Sequence, residues 1–253
     1  MQPELHFFGL TIQTFGLCLG AAFLVAGWMV ARRLRELGRN PELAYEMVFA
    51  ALVGGIVGAK LWYVAENGGP LFSGTGLVFY GGLIGGALAV IGWARYRGAL
   101  DLKLVDAVAP SLAAAYAIGR IGCQLSGDGD YGKDWDGPWA MAYPNGTVPT
   151  TTPVHPTPVY ELLAMGAFAY LLWRWRDRWQ PGTLMAVYLI GAGLERFLVE
   201  FVRRNADAAL GLTQPQLVAI ASIVAGGVWL ALQRTTSMRR RARHRESALS
   251  RSV

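Results

Sequence analysis

The sequence predicts an all-α integral membrane protein with seven transmembrane helices and a small extracytoplasmic cap between helices four and five. Of its 253 residues, 53% are hydrophobic and only 16% are charged, whereas an average soluble domain has about 25% charged residues. The mean hydropathy is +0.32. Together these values indicate that lipid, and not water, surrounds much of the chain.

Seven apolar stretches approach the length of about 20 residues with which a helix crosses a bilayer. They cover residues 9–31, 45–65, 77–94, 104–123, 157–173, 183–202 and 214–233. We expect residues 1–233 to form one seven-helix membrane domain and residues 234–253 to form a basic cytoplasmic tail. This tail is either a disordered arm that touches anionic lipid or only an anchor that fixes the topology. Residues 1–9 contain no Lys or Arg, so they lack the basic start of a signal peptide and the first span is expected to be retained.

The basic residues are distributed unevenly along the chain. Seventeen of the 23 Lys and Arg residues follow the first, third, fifth and seventh stretches, whereas the alternate loops hold only Lys133, Arg203 and Arg204. By the positive-inside rule, the N-terminus is therefore outside and the C-terminus is cytoplasmic. A net charge of +6 would suggest nucleic acid for a soluble protein, but these residues flank predicted helices, so we expect no nucleic-acid partner.

The long loop at residues 124–156 is rich in Gly, Pro, Asp and aromatic residues. Its aromatic side chains offer apolar area that can be buried or laid on the membrane interface: Tyr131, Trp135, Trp139 and Tyr143. We therefore expect a small ordered cap on the outer side of the membrane, where loops carry function, and not a linker.

Ionisable residues within the spans are the candidates for function, because a charge at the centre of a membrane helix costs about 2.5 to 3.5 kcal/mol on insertion scales. Arg120, Glu161, Arg196 and Glu200 occupy the outer halves of the fourth, fifth and sixth spans, and Tyr80 stands just inside the outer end of the third. Since a helix rises about 1.5 Å per residue, these polar groups are expected at one depth.

Two arginine-containing segments stand out within this set. Arg196, Glu200 and Arg203 are spaced i, i+4 and i+7 and therefore share one helical face. They either belong to a functional site or neutralise one another as a structural ion pair. Arg120 stands in the string GRIG, where the glycines allow close backbone contact and a guanidinium group is suited to binding a phosphodiester bidentately. Alternatively, its side chain simply reaches up to the membrane interface.

The sequence predicts no metal site and no protein nucleophile. The acidic residues of GDGDYGKDWD (127–136) lack the terminal Glu of an EF-hand loop. The only two cysteines, Cys18 and Cys123, form neither a disulfide framework nor a metal-binding cluster. No GxSxG, HExxH or phosphate-loop motif occurs. Any chemistry is therefore expected to use phosphate-binding arginines and a general base, without a cofactor.

Several motifs occur in a fixed order along the chain. They are FYGGLIGG (79–86), LVDAVAPSLAAAYAIGRIG (104–122) with GRIG at 119–122, GD (127–128), YG (131–132), HPTPVYELL (155–163) and ERFLVEFVR (195–203). In this combination and order they resemble the motifs of the prolipoprotein diacylglyceryl transferase family. The resemblance extends over about residues 9–233, which is nearly the whole chain.

The resemblance implies transfer of diacylglyceryl from phosphatidylglycerol to the lipobox cysteine thiol that follows a prolipoprotein signal peptide, with release of glycerol phosphate. It also implies a multi-pass protein of the bacterial cytoplasmic (inner) membrane, in contact with membrane lipid. By resemblance the catalytic candidates are Arg120, which would bind the lipid phosphate, Arg196, which would assist the headgroup or leaving group, and Tyr80. The other substrate-binding candidates are Ser126, Asp128, Gly132, His155, Tyr160, Glu161, Glu200 and Arg203.

The chain departs from the family pattern at several positions. Tyr80 stands where many members have His, Cys123 and Ser126 replace signature asparagines, and Ala192 replaces a tyrosine. The family's WYG in the first span is TFG at residues 14–16. A tyrosine of pKa near 10 is a poorer base than histidine at neutral pH. Three routes to thiol activation are therefore open: Tyr80, His155 or the substrate itself.

Two other functions are open at the level of sequence. A paralogue that binds lipid or lipoprotein but has lost catalysis would account for the changes at Tyr80 and Cys123. A lipid or small-molecule transporter would also carry polar residues within its spans. Transport is the weaker alternative, because the polar residues cluster at one outer depth instead of tracing a path to the inner face.

Overall fold

The computed structural model describes residues 1–7, 10–68, 70 and 78–249, with the backbone alone for residues 7, 10 and 236–249. Seven α-helices are formed within these ranges. They are α1 (Thr14–Glu36), α2 (Glu42–Asn67), α3 (Phe79–Tyr96), α4 (Leu102–Ser126), α5 (Thr157–Trp175), α6 (Thr183–Val199) and α7 (Gln214–Leu249). The helical prediction is therefore confirmed, although the predicted starts of the first and third spans, residues 9 and 77, lie outside the described residues.

Four of the described helices are long and apolar enough to cross a membrane. They are α1, α2, α4 and the segment Gln214–Thr235 of α7. The other three helices, α3, α5 and α6, are shorter, with 18, 19 and 17 residues. The predicted sixth span ends early as an α-helix, because the chain tightens into one 3-10 turn at Glu200–Val202.

Three short antiparallel hairpins supplement the helices and were not predicted from the sequence. They are β1 (Glu4–Phe7) with β2 (Leu10–Gln13), β3 (Met141–Tyr143) with β4 (Thr150–Val154), and β5 (Asp207–Ala209) with β6 (Leu212–Thr213). Among the described residues, each hairpin joins only two strands and none is paired with another hairpin.

The tail differs from the expectation of a disordered arm. The backbone of α7 continues as helix from the apolar segment through to Leu249, and residues 250–253 lie outside the described part. Seven of the 20 residues from 234 to 253 are Arg, which has high intrinsic helix propensity. The positive charge of the tail thus does not prevent α7 from continuing as a helix beyond its apolar segment.

Helix α4 holds the bundle together, because it packs against α1 on one side and against α5 and α6 on the other. One cluster of buried residues lies among α1 to α4 and includes Leu34, Met47 and Leu104. A second cluster, among α4, α5 and α6, includes Met165 and Leu172. Small residues of α4 at this second contact allow the helices to approach closely.

Polar contacts fix the ends of the helices. The carboxylate of Asp106 in α4 accepts hydrogen bonds from the backbone N–H groups of Gly182, at 2.7 Å, and Met185, at 2.9 Å, at the start of α6. The end of α1 is joined to the end of α5 by ion pairs of Arg33 with Asp177, at 2.6 Å, and of Arg176 with Glu36, at 2.9 Å. The C-terminal ends of α1 and α5 therefore lie on the same side of the bundle. Six residues after Asp177, the chain begins α6 beside α4.

The segment between α4 and α5 is folded around two stacked tyrosines. The rings of Tyr131 and Tyr143 have centroids 4.9 Å apart, and Tyr143 donates a hydrogen bond to Gln124 at the end of α4, at 2.8 Å. Burial raises the pKa of Tyr143 to about 12. Val154 completes this small cluster, which fixes the segment above the ends of α4 and α5.

Helices α2 and α3 touch through their backbones. A Cβ atom at Gly58 would collide with the carbonyl oxygen of Gly81 and lie 2.7 Å from the Cα of Gly85. Gly54 is equally confined, because its Cβ would lie 2.7 Å from the carbonyl oxygen of Gly85. The glycine clusters thus serve close helix packing, which is their usual role in membrane helices.

This contact predicts that Gly58→Ala lowers the midpoint of thermal unfolding in detergent. The added methyl group must push α2 and α3 apart, and overpacking of this kind costs about 1 to 3 kcal/mol. Gly92→Ala in α3 is the matched control, because a Cβ there meets nothing within 4 Å and Ala favours the helix. Equal shifts of the two midpoints would contradict the close contact.

Candidate functional site

Three guanidinium groups and three carboxylates meet where α4, α5 and α6 come together. We call this set the ionic cluster; its members are Arg120, Asp130, Glu161, Arg196, Glu200 and Arg203. The sequence predicted that five of these residues would share one depth or one helical face, and the structure brings those five together. Asp130 is the sixth member, and sequence analysis did not select it.

Glu161 is the hub of the ionic cluster. Its side chain is 0% exposed, and it pairs with Arg120 at 2.8 Å, with Arg196 at 2.9 Å and with Arg203 at 3.4 Å. Tyr116 donates a further hydrogen bond to its Oε1 at 3.1 Å. An isolated buried carboxylate is strongly destabilising, whereas charge-assisted hydrogen bonds of this kind stabilise its ionised form.

Asp130 reaches the cluster because the chain reverses after α4. Gly127 ends the helix in the left-handed conformation, at φ 58°, and three residues later Asp130 bridges Arg120 and Arg203. Thr157 fixes this position by donating a hydrogen bond to the carbonyl oxygen of Asp130, at 2.5 Å. Burial alone would raise the pKa of Asp130, but the charges of Arg203 and Arg120 outweigh it and hold that pKa below its usual value.

Glu200 is fully buried and joins α6 to the segment that follows it. Its Oε1 accepts hydrogen bonds from Asn205, at 2.6 Å, and Thr213, at 2.8 Å. Its Oε2 lies 2.9 Å from Arg196, one helical turn away, but without hydrogen-bond geometry. The ion pair considered from the sequence therefore exists, and it is one part of the larger cluster.

Gly132 and Ser126 hold the loop after α4 in place through backbone hydrogen bonds. The backbone N–H of Gly132 donates to His155 O at 2.8 Å, and the next N–H, of Lys133, donates to Val202 O at 2.7 Å. A Cβ at Gly132 would collide with that same carbonyl of Val202. Ser126 is buried, and its carbonyl oxygen accepts a hydrogen bond from Thr147 N at 2.9 Å. In the described contacts, both residues brace the loop and do not touch the guanidinium groups.

A cavity of about 690 Å³ lies beside the ionic cluster, between α5, α6 and the folded segment. Most of its wall is apolar or aromatic. Its lining residues are Trp135, Trp139, His155, Tyr160, Ala164, Met165, Phe168, Gly191, Leu194, Glu195, Leu198, Val199 and Val202. His155 and Tyr160, predicted as substrate-binding residues, belong to this cavity and not to the ionic cluster.

The aromatic side of the cavity is held by a chain of contacts. The ring of His155 stacks on Trp135 with centroids 4.4 Å apart and planes at 8°. Its Nδ1 lies 3.3 Å from the Tyr160 hydroxyl, which also accepts a hydrogen bond from Trp139 Nε1 at 2.8 Å. Burial lowers the pKa of His155 below its ordinary value, so at neutral pH the ring is uncharged.

Tyr80 is half-buried in the first turn of α3, with its ring edge-on to Phe79 at 5.6 Å. It lies near enough to Arg196 and Glu200 for their charges to act on its hydroxyl group. The structure thus places Tyr80 at the margin of the ionic cluster. It does not line the cavity.

Sequence reasoning missed Tyr116 and the role of Asp130. Tyr116 is four residues before Arg120 on the same helical face, and its hydroxyl accepts a hydrogen bond from Arg120 at 3.0 Å. That spacing was a usable signal. Asp128, favoured by resemblance, accepts a hydrogen bond from the backbone N–H of Asp130 at 3.2 Å. Asp128 therefore shapes the turn that presents Asp130.

A cation is a poor match for the one described group of metal-ligand atoms near the cluster. Ligand atoms of Cys123, Asp128 and Asp130 lie within 4.8 Å of one another. Asp130 is already shared by Arg120 and Arg203. These guanidinium groups would repel a metal ion, so the group is better suited to holding the arginines.

These features define a polytopic helical membrane protein with a buried ionic cluster next to an apolar cavity. Residues 3–232 match the family model described as prolipoprotein diacylglyceryl transferase. The chain belongs to the prolipoprotein diacylglyceryl transferase family, as its motifs indicated, and is a transferase. Its apolar helices and its family together indicate a bacterial inner-membrane protein.

Curated relatives from several bacteria match most of the chain. A phosphatidylglycerol--prolipoprotein diacylglyceryl transferase of Clostridium tetani is 31% identical, covering 89% of this chain and 95% of its own length. A second enzyme of that name, from Clostridium perfringens, is 30% identical over 88% of this chain and 91% of its own length. The Methylococcus capsulatus protein of the same name is 32% identical, over 82% and 86%. The similarity therefore extends over whole proteins.

The contacts of Glu161 predict that Glu161→Gln lowers the free energy of unfolding by about 3 to 5 kcal/mol, because it leaves buried guanidinium groups without their shared carboxylate. The measurement is thermal or denaturant unfolding of the purified protein in detergent. Asp134→Asn is the control, since Asp134 forms an exposed pair with Arg204 and such pairs contribute about 1 kcal/mol or less. A Glu161→Gln variant as stable as this control would contradict the hub role.

Proposed function

We propose that this protein transfers the diacylglyceryl group of phosphatidylglycerol to the lipobox cysteine thiol of a prolipoprotein, forming a thioether and releasing glycerol phosphate. Both substrates appear in the names of its relatives. The observation that carries the proposal is the set of three guanidinium groups gathered around Glu161 within apolar helices. Such a set is suited to a lipid phosphate at the membrane boundary.

The chemistry makes use of these guanidinium groups. The thiolate attacks the glycerol carbon that bears the phosphate, and the carbon–oxygen bond breaks with its electron pair on the phosphate oxygen. Groups that bind the phosphate more tightly as this charge develops lower the barrier. Arg120 and Arg196 are 15% and 21% exposed and remain accessible to a headgroup, whereas Arg203 is only 8% exposed. We therefore assign phosphate contact to the first two and positioning of Asp130 and Glu161 to Arg203.

Charge balance indicates how the phosphate would enter. The three guanidinium groups already face three carboxylates, so an added phosphodiester must displace one of them. Glu161 and Glu200 are 0% exposed, whereas Asp130 is 34% exposed and lies on a loop. We propose that the lipid phosphate takes over the guanidinium N–H groups of Arg120 that Asp130 occupies. Asp128 would then act through the turn that it shares with Asp130.

We further propose that all seven helices span the membrane, with the N-terminus outside, the C-terminus cytoplasmic and residues 124–156 as an external cap. The basic segments support this orientation. The helix directions are compatible with it, because the ends of α1 and α5 meet at one side. The ends of α4 and α6 meet the start of α5 in the ionic cluster.

This topology predicts the behaviour of reporter fusions in cells. Alkaline phosphatase, which needs an oxidising compartment for its disulfides, should be active when inserted at Asn145 in the exposed turn of the cap. The same enzyme at the C-terminus should be inactive, whereas green fluorescent protein there should fluoresce. An active phosphatase at the C-terminus would overturn the orientation.

The transferase function predicts that Arg120→Ala abolishes prolipoprotein modification. Removing one preorganised donor to a developing charge typically costs about 100- to 1,000-fold in rate. The protein is expressed in bacteria depleted of their own transferase, and the prolipoprotein is examined by mass shift. The wild-type chain should restore the diacylglyceryl mass, and the variant should not.

Arg97→Ala is the control for this experiment. Arg97 follows α3 and forms an exposed pair with Glu46 at 3.0 Å, away from the ionic cluster. The Arg97→Ala protein should insert into the membrane and modify the prolipoprotein as the wild type does. Full modification by an Arg120→Ala protein present at wild-type levels would contradict the role of Arg120. Absence of modification by the inserted wild-type chain would favour a paralogue that has lost catalysis.

A further inference from the structure

We propose that Glu195 is the general base that removes the proton from the acceptor thiol, and that the cavity beside the ionic cluster receives the acceptor cysteine. The inference rests on the proposed transfer function, which needs a thiolate but leaves its origin open. It assigns a catalytic role to a residue that stands in the motif at 195–203 but was not among the predicted site residues.

Glu195 is set apart from the other carboxylates by its surroundings. It is the one carboxylate among the residues that line the cavity in the described part of the chain. Glu161 and Glu200 are held by guanidinium groups. In the described ranges, the carboxyl group of Glu195 has neither a hydrogen bond nor an ion pair, and its oxygens are not sealed within the protein. A half-buried carboxylate in an apolar wall is thus positioned to take a proton from a group that enters the cavity.

The position of Glu195 relative to the arginines matches the geometry of the reaction. It directly precedes Arg196 in α6, and its carboxyl group is acted on by the charge of Glu161 as well as by those of Arg120, Arg196 and Arg203. A phosphate bound by Arg120 and Arg196 would present its glycerol carbon next to the cavity. A thiol in the cavity would then have the base on one side and the reacting carbon on the other, as direct displacement needs.

The two other candidate bases are placed less well. His155 also lines the cavity, but its ring is stacked on Trp135 and its Nδ1 faces the Tyr160 hydroxyl. Burial lowers the pKa of its ring, and it takes no part in the ion pairs of the ionic cluster. Tyr80 lies near Arg196 but outside the cavity, and a phenol of pKa near 10 is a weak base at neutral pH.

The wall of the cavity is suited to the acceptor. The lining side chains from α5 and α6 are mainly aliphatic and aromatic, and Trp135 and Trp139 close the side formed by the folded segment. A lipobox follows an apolar signal-peptide segment, so its side chains gain free energy by leaving water for such a cavity. The cavity thus offers binding for the segment and one proton acceptor for its cysteine.

The step is balanced without any further reagent. The S–H proton passes to a carboxylate oxygen of Glu195, and the sulfur lone pair forms the new carbon–sulfur bond. The carbon–oxygen bond to phosphate breaks, and its electron pair stays on the phosphate. Glu195 then returns the proton to the departing glycerol phosphate, since phosphate monoesters bind a proton with a pKa near 6. No group is oxidised or reduced.

The test compares two acceptors on full-length Glu195→Gln in phosphatidylglycerol vesicles. One lipobox peptide carries cysteine, and the other carries selenocysteine, whose selenol is ionised at neutral pH without a base. We expect kcat with the cysteine peptide to fall by about 100-fold or more, with KM for phosphatidylglycerol unchanged. With the selenocysteine peptide, the variant should match the wild type to within about tenfold. Glu195→Asp should recover part of the lost rate with cysteine.

Glu42→Gln is the matched control, because Glu42 is an exposed carboxylate at the start of α2 and the same chemical change there should not alter either rate. Thermal unfolding verifies that the Glu195 variant is folded. Unchanged kcat with cysteine, or an equal loss with both acceptors, would overturn the role of Glu195 as a base. A wild-type protein inactive with both peptides would instead overturn the proposed transfer function.

Discussion

The burial of Glu161 is the constraint on which the rest of the site depends. A carboxylate without exposure among apolar helices must be neutralised by partners close to it, and its partners come from α4, α6 and the turn after α6. Those elements are consequently held at fixed positions around α5. The position of the loop after α4 depends on the same neutralisation of charge, because Asp130 on this loop pairs with Arg120 and Arg203.

Two pairs of consecutive residues divide the site into a polar and an apolar half. In α5, Tyr160 faces the cavity and Glu161 the ionic cluster; in α6, Glu195 faces the cavity and Arg196 the cluster. Successive residues of a helix are about 100° apart, since 3.6 residues complete a turn. The two compartments therefore share the same helical turns. A phosphate in the polar half and a thiol in the apolar half could therefore meet along the same turns of α5 and α6.

The sequence was sufficient for the parts of the site that depend on helical periodicity. The sequence predicted one depth for Arg120 and Glu161 and one helical face for Arg196, Glu200 and Arg203. The structure brings these five residues together in one cluster. Asp130 could not be selected in this way, because its position depends on the reversal at Gly127 and on the bond from Thr157. His155 and Tyr160 were selected by motif, which carries no information on which compartment a side chain enters. The hairpins are only two to five residues per strand, too short for a periodic signal.

The glycine contact between α2 and α3 has a mechanical consequence for Tyr80. Where backbones touch with no side chains between them, one helix cannot bend or slide without driving its atoms into the other. We therefore expect α2 and α3 to move as one rigid unit, and Tyr80 lies in the first turn of α3, near one end of that unit. The distance from the Tyr80 hydroxyl group to Arg196 should then change with the tilt of the helix pair as a whole, and not with local movement of one helical turn.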